Sequence, residues 1–204
     1  LRPYCGFWAN DLVVSHEGYA YVGNFGFDLD QRLAELGPAG LIDPPPPTAN
    51  LVVVDPRGRV AQVVSGPAFP NGAVITPDGS TLVIAETMAA RLSAFTIAAD
   101  GTLHDRREWA ALPRVAPDGI CLDEEGQIWV ANARAAECLR VREGGEISAR
   151  VATTHTAYAC ALGGPERRTL YVMSAPSSNR FTIGSSTRAT IESCRVDVPG
   201  AGLP

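Results

Sequence analysis

A near-repeat constrains this chain more than any other feature. Pro70-Asn71-Gly72-Ala73-Val74-Ile75 runs through Thr76-Pro77-Asp78-Gly79 into Thr81-Leu82-Val83-Ile84-Ala85-Glu86. Pro117-Asp118-Gly119-Ile120-Cys121-Leu122 runs through Asp123-Glu124-Glu125-Gly126 into Ile128-Trp129-Val130-Ala131-Asn132. Each copy reads as a short apolar strand, a tight polar turn with Gly, and a second apolar strand. One copy opens with Asn71 and the other with Asp118, at the same place ahead of the first strand. Those paired polar residues suggest where the chemistry is.

Two further segments fit the pattern. Asn10-Asp11-Leu12-Val13-Val14 is followed by Glu17-Gly18 and then Tyr19-Ala20-Tyr21-Val22-Gly23-Asn24. Ala159-Cys160-Ala161-Leu162 is followed by Pro165-Glu166-Arg167-Arg168 and Thr169-Leu170-Tyr171-Val172-Met173. Aligned on Ala20, Leu82, Ile128 and Leu170, the second strands lie 62, 46 and 42 residues apart by subtraction. A spacing in the forties with short strands is the mark of a β-propeller blade of four strands. The outer strands are legible as well: 51–54 with 60–64, 91–97 with 102–103, and 138–141 with 147. Their turns hold Pro, Asp and Gly, as hairpins require. The expected fold is therefore an all-β propeller with about four blades in this chain, residues 1–204 forming a single domain.

The long first spacing is explained by an insertion over residues 28–48. It contains one possible helix, Leu29 to Leu36, and the run Pro44-Pro45-Pro46-Pro47, which belongs on the surface and not in a central strand. The insertion is either a variable surface loop or one that overhangs the propeller's mouth.

Composition narrows the function classes. Net charge is −5 and the pI near 5.2. That argues against nucleic acid, which wants a basic face, and against an anionic membrane surface. No apolar run reaches the ~20 residues a membrane helix needs. The five cysteines are odd in number and show no CxxC spacing, so free thiols in a reducing compartment are expected. The three histidines show no ligand spacing. No Gly-x-Ser-x-Gly and no phosphate-binding loop occurs.

Taken in order, Asn-Asp-Leu-Val-Val with Tyr-Val-Gly-Asn-Phe-Gly-Phe, then Pro-Asn-Gly with Pro-Asp-Gly, then Pro-Asp-Gly-Ile-Cys-Leu-Asp with Gly-Gln-Ile-Trp-Val-Ala, resemble the SMP-30/gluconolactonase/LRE-like family. The resemblance runs along almost the whole chain. It implies a six-bladed propeller with one divalent cation in its central channel, and an enzyme opening a sugar or other small hydroxy-acid lactone. At roughly 45 residues per blade, six blades need about 270 residues. The chain, which has no initiator Met, is thus expected to be the C-terminal two-thirds of a longer protein.

The resemblance also implies site residues. Asn71 and Asp118 match two of the family's metal ligands; a third, a Glu of the first blade, has no equivalent here. Asp118 would also be the general base, and Asn10 matches an Asn beside substrate and metal. Where animal members carry an Arg two residues before that Asn, this chain has Trp8, which suits an apolar substrate group. Oxygen donors suit Ca²⁺ best, with Mg²⁺, Mn²⁺ and Zn²⁺ also admissible. Asn24, Glu86 and Asn132 end equivalent second strands and are candidate pocket-lining or strand-capping residues. Trp8, Phe25 and Phe27 are candidates for a substrate wall, and Asp11 for capping backbone donors. The partner expected is a small-molecule lactone, in the cytoplasm or the periplasm. The alternatives are a non-catalytic calcium-binding or partner-binding propeller, and an inactive fragment.

Overall fold

A computed structural model describes residues 1–41, 43–179 and 188–202. Its strands form four antiparallel sheets, each built from consecutive strands. The first sheet holds β1 (Ala9–Val14), β2 (Ala20–Asn24), β3 (Asn50–Val54) and β4 (Val60–Ser65). The second holds β5 (Pro70–Ile75), β6 (Thr81–Glu86), β7 (Arg91–Ile97) and β8 (Leu103–Ala111). The third holds β9 (Pro117–Leu122), β10 (Ile128–Asn132), β11 (Glu137–Val141) and β12 (Ile147–Ala152). The fourth, among the described residues, holds β13 (Thr156–Gly163), β14 (Thr169–Ala175) and β15 (Thr190–Arg195). Strands β1, β5, β9 and β13 lead their sheets and pack side by side in that order. This is a four-blade β-propeller arrangement.

The repeated turns work as their sequences require. Gly79 and Gly126 take φ values of 72° and 73°, which L side chains rarely adopt. Their N–H groups donate back to the carbonyls of Thr76 and Asp123 at 2.8 and 3.0 Å. Asp78 and Asp123 then accept backbone N–H groups across the turn.

The core is divided into slabs between neighbouring sheets. Alternation along one strand sends successive residues to opposite slabs. In β6, Leu82 and Ile84 pack with Val13, Tyr21 and Leu51 of the first sheet. Val83 and Ala85 of the same strand pack with Ile120, Ile128 and Val130 of the third. In β10, Trp129 and Ala131 turn the other way, to Ala157, Leu170 and Val172. A strand covered on both faces has no polar alternation, which is why the second strands read as unbroken apolar runs. The first and last sheets differ: Leu12 and Val14, and Ile191, are exposed.

Within residues 28–48 the expected helix forms as α1 (Leu29–Leu36). Asp28 caps it, accepting the Gln31 N–H at 3.0 Å. The described residues of the proline run lie at the surface. All five cysteines are free. Among the described residues no helix is long and apolar enough to cross a membrane.

Candidate functional site

The inner strands share a local irregularity that builds the site. β1 pairs regularly with β2 until the register slips between Leu12 and Ala9. β5 slips between Ala73 and Pro70, β9 between Ile120 and Pro117, and β13 between Ala159 and Ala157. A β-bulge re-aims the side chain it carries. Apart from Gly72 and Gly119, the residues inside these bulges are Asn10 and Asp11, Asn71, Asp118, and Tyr158. All of them line one cavity of about 340 Å³ at the strand-entry end of the propeller. Residues spread from 10 to 158 in sequence therefore face a common space.

Glycine makes the convergence tight. A Cβ on Gly72 would lie 2.5 Å from the Ile120 backbone nitrogen and 2.7 Å from the Asp118 carbonyl oxygen. One on Gly119 would lie 2.7 Å from the Ala159 Cα. The Asn-Gly and Asp-Gly pairs thus combine a polar side chain with a backbone the next strand can approach. In β1 the place after the polar residue is taken by Asp11, which adds a carboxylate to the cavity.

A short hydrogen-bond chain fixes the polar groups. Asn71 Nδ2 donates to Thr87 Oγ1 at 3.2 Å, and that hydroxyl donates to the Pro117 carbonyl at 2.7 Å. Asn71 is buried, and its amide also favours the ionised Asp118 carboxylate. Asn10 Nδ2 donates to the Pro70 carbonyl at 3.2 Å. Desolvation pushes the Asp118 carboxyl up to about 7; the negative charge of Asp11 adds to the rise, and Asn71 opposes it. Partial burial raises Asp11 as well.

Aromatic rings form the opposite side. Phe7 and Trp8 are 4.8 Å apart between ring centroids, Trp8 and Phe25 6.4 Å, and Phe25 and Phe69 4.5 Å. All four rings line the cavity. Asp28, Leu29 and Asp30, where the insertion enters α1, complete the rim together with Ser178. The insertion therefore overhangs the mouth, at least by its first turn.

Three of the sequence candidates lie elsewhere. Asn24 is fully buried; its Nδ2 donates to the Asn50 carbonyl at 2.6 Å, and its Oδ1 accepts from Gly6 and Gly26. Glu86 is likewise buried, held by Arg91 at 3.1 Å, Arg106 at 2.6 Å, Ser93 and the Ala68 N–H. Asn132 bonds Glu137 and the Ala116 N–H. These residues tie loops at strand ends and do not reach the cavity. Phe27 also stands back, packing on Phe69 at 5.8 Å beneath Arg32. Conversely, Asp11, Phe7, Phe69, Thr87 and Tyr158 belong to the site or support it. The cue for Asp11 was its place in the repeat. For Phe7, Phe69 and Tyr158, which the repeat does not contain, no sequence signal existed.

The donor set fits a hard divalent cation. It comprises the Asp118 and Asp11 carboxylates and the side-chain oxygens of Asn71 and Asn10. Both carboxyls are raised chiefly by desolvation, and at Asp118 also by the charge of Asp11; a cation between them would favour their ionised forms. Among the described residues no group of three His, Cys, Asp or Glu converges, so a cation held here would need amide oxygens as well.

The sequence profile of the SMP-30/gluconolactonase/LRE-like region matches residues 4–176. The chain belongs to this family. It is 27% identical over 203 residues to a pentonolactonase of Haloferax volcanii, covering 96% of this chain and 64% of that protein. Among solved structures, a calcium-binding regucalcin from Agrobacterium tumefaciens superposes with a TM-score of 0.73 at 22% identity, covering 96% of this chain and 63% of that one. A gluconolactonase from Xanthomonas campestris gives a TM-score of 0.60 at 26% identity, covering 82% and 54%. This member of the SMP-30/gluconolactonase/LRE-like family thus spans less than two thirds of the length of these relatives.

Proposed function

We propose that this chain carries the cation and base residues of a divalent-metal-dependent hydrolase that opens lactones of sugars or other small hydroxy acids. The observation that carries the reading is the meeting of Asn10, Asn71 and Asp118, from three consecutive inner strands, in one half-open cavity. The lactonase names of the relatives support the class of substrate.

Asn71 and Asp118 would hold the cation, Ca²⁺ in the first instance, with Asp11 alongside. Bound there, a divalent ion supplies a Lewis acid for the lactone carbonyl and stabilises negative charge on its oxygen. The chain's own part is proton handling and positioning. Asp118 takes a proton from a water molecule at a carboxylate oxygen as that water attacks the carbonyl carbon. The ring C–O bond then breaks, and the leaving oxygen takes up the proton, giving the hydroxy acid. The Asp118 carboxyl, raised to about 7 in the cation-free site, would be lowered by a bound cation and so be ionised, as a base must be, at neutral pH. Thr87 and Asn71 keep the Asp118 carboxyl oriented, and the aromatic wall limits water to the open side.

The test is gluconolactone hydrolysis followed by pH-stat on the full chain. Activity should vanish in EDTA, return with Ca²⁺, Mg²⁺, Mn²⁺ or Zn²⁺, and be absent in Asp118→Asn. Cation binding without turnover of any lactone would instead establish a non-catalytic binding propeller.

A further inference from the structure

The four rings of Phe7, Trp8, Phe25 and Phe69 make a continuous apolar wall facing the polar residues of the inner strands. Three separate segments supply them: the approach to β1, the exit of β2, and the approach to β5. Phe69 takes a φ of 60°, a left-handed conformation that a bulky side chain seldom occupies. Such an outlier persists where the surroundings hold it, commonly beside a functional site. Here it places the ring against Phe25 and Phe27. Trp8 remains 54% exposed at the lip, although a residue of its size normally buries most of its surface.

Three polar groups around the wall are already bonded to the protein. The Asn10 amide donates to Pro70, the Asn71 amide to Thr87, and the Asp28 carboxylate accepts Gln31. A polyol pressed against four rings would leave hydroxyls unpaired, which is costly. An aromatic or bulky apolar group would instead gain by leaving water and by edge or offset ring contacts.

We propose that the lactone taken by this cavity carries an aromatic or bulky apolar group that packs on the Phe7–Trp8–Phe25–Phe69 wall while its carbonyl faces Asp118. This deepens the hydrolase reading and rests on it for turnover, though not for binding.

Two measurements on the full chain, supplied with divalent cation, separate the two ideas. The first compares kcat/KM for dihydrocoumarin, a fused aromatic lactone, with that for gluconolactone. The expected ratio is about tenfold or more in favour of dihydrocoumarin, on the scale of one well-buried ring. Trp8→Ala should lower kcat/KM for dihydrocoumarin about tenfold, chiefly through KM, and Trp8→Phe should restore most of it. Preference for gluconolactone, or a ratio unmoved by Trp8→Ala, overturns the proposal. The second measures binding of the hydrolysis-inert lactam dihydroquinolinone by tryptophan fluorescence. Trp109 and Trp129 are buried, so a ligand on the wall changes the signal of Trp8. Saturable quenching that disappears in Trp8→Phe supports the wall even if no lactone is hydrolysed, in which case only the hydrolase reading fails. No saturable change overturns the wall.

Discussion

Asn71 and Asp118 occupy the same step of consecutive inner strands, and the missing Cβ of Gly72 lets the Asp118 carbonyl oxygen come within 2.7 Å of where that Cβ would be. The two side chains are coupled through this backbone contact and through Thr87. The site is therefore built into the seam between blades, and changes at the seam should register in both stability and cation affinity.

Gly72→Ala tests the seam. The added methyl would meet backbone atoms of Ile120, Asp118 and Gly119, all under 3.0 Å and none able to swing aside. A loss of about 2–4 kcal/mol is expected in urea denaturation, in the range of severe overpacking. Gly163→Ala, whose Cβ would meet only the Tyr171 ring at 3.4 Å, should cost much less. Equal stability of the two variants would contradict the described approach of β5 to β9.

Asp118 sets a pH dependence of the cation-free protein. Its carboxyl is raised from 3.8 to about 7 on folding, mainly by desolvation. A raised carboxyl binds its proton more tightly in the folded state. Stability is thus greatest below pH ~4 for this group and falls as pH rises to about 7, by on the order of 4 kcal/mol. Asp11, raised in the same direction by burial, adds to the slope. Urea denaturation in EDTA at pH 5 and pH 8 should show about 2–3 kcal/mol of this loss, and Asp118→Asn should flatten it while abolishing hydrolysis. A slope of the opposite sign, or one unchanged in Asp118→Asn, would count against an enclosed Asp118.

Thr87 is a positioning residue. Thr87→Val keeps the shape but removes the hydroxyl between Asn71 and the Pro117 carbonyl. It should lower stability by about 1–3 kcal/mol and weaken cation affinity, and Thr87→Ser should rescue both. Failure of the serine to rescue would show that packing, not the hydroxyl, is what Thr87 provides.

Glu86 is the reverse case, a candidate site residue that the structure assigns to holding loops. Desolvation opposes its charge, but Arg91, Ser93, the Ala68 N–H and Arg106 together hold it below the usual carboxylate range. Glu86→Ala would leave Ser93 and the Ala68 N–H unpaired and strip Arg91 and Arg106, each about a third exposed, of their carboxylate; it should cost about 2–3 kcal/mol. KM for any lactone should stay within about twofold, since the side chain does not reach the cavity. A selective rise in KM at preserved stability would return Glu86 to the substrate site.

The repeat made the blades legible because tight turns with Gly and doubly buried strands leave strong local signals. It also placed Asn71 and Asp118 at one step, and family resemblance added Asn10. What the repeat could not show is which way a strand-end side chain turns. Asn24, Glu86 and Asn132 occupy equivalent places, yet each lies on a second strand, one step away from the axis, and caps a loop there. The aromatic wall was only partly visible. Trp8 and Phe25 stand among the sequence's candidates for a substrate wall, whereas Phe69 depends on a left-handed backbone and on contacts between distant segments. Tyr158 fills in β13 the place of an Asn or Asp, so no repeated polar residue marked it.

The most direct measurement is calorimetric titration of Ca²⁺ into the EDTA-stripped full chain, beside Asn71→Ala and Asp118→Asn. The account predicts one site in the parent and an affinity reduced at least ~100-fold in each variant, as expected when one of few oxygen ligands is lost. Unchanged affinity in both variants, or no binding by the folded parent, would contradict it.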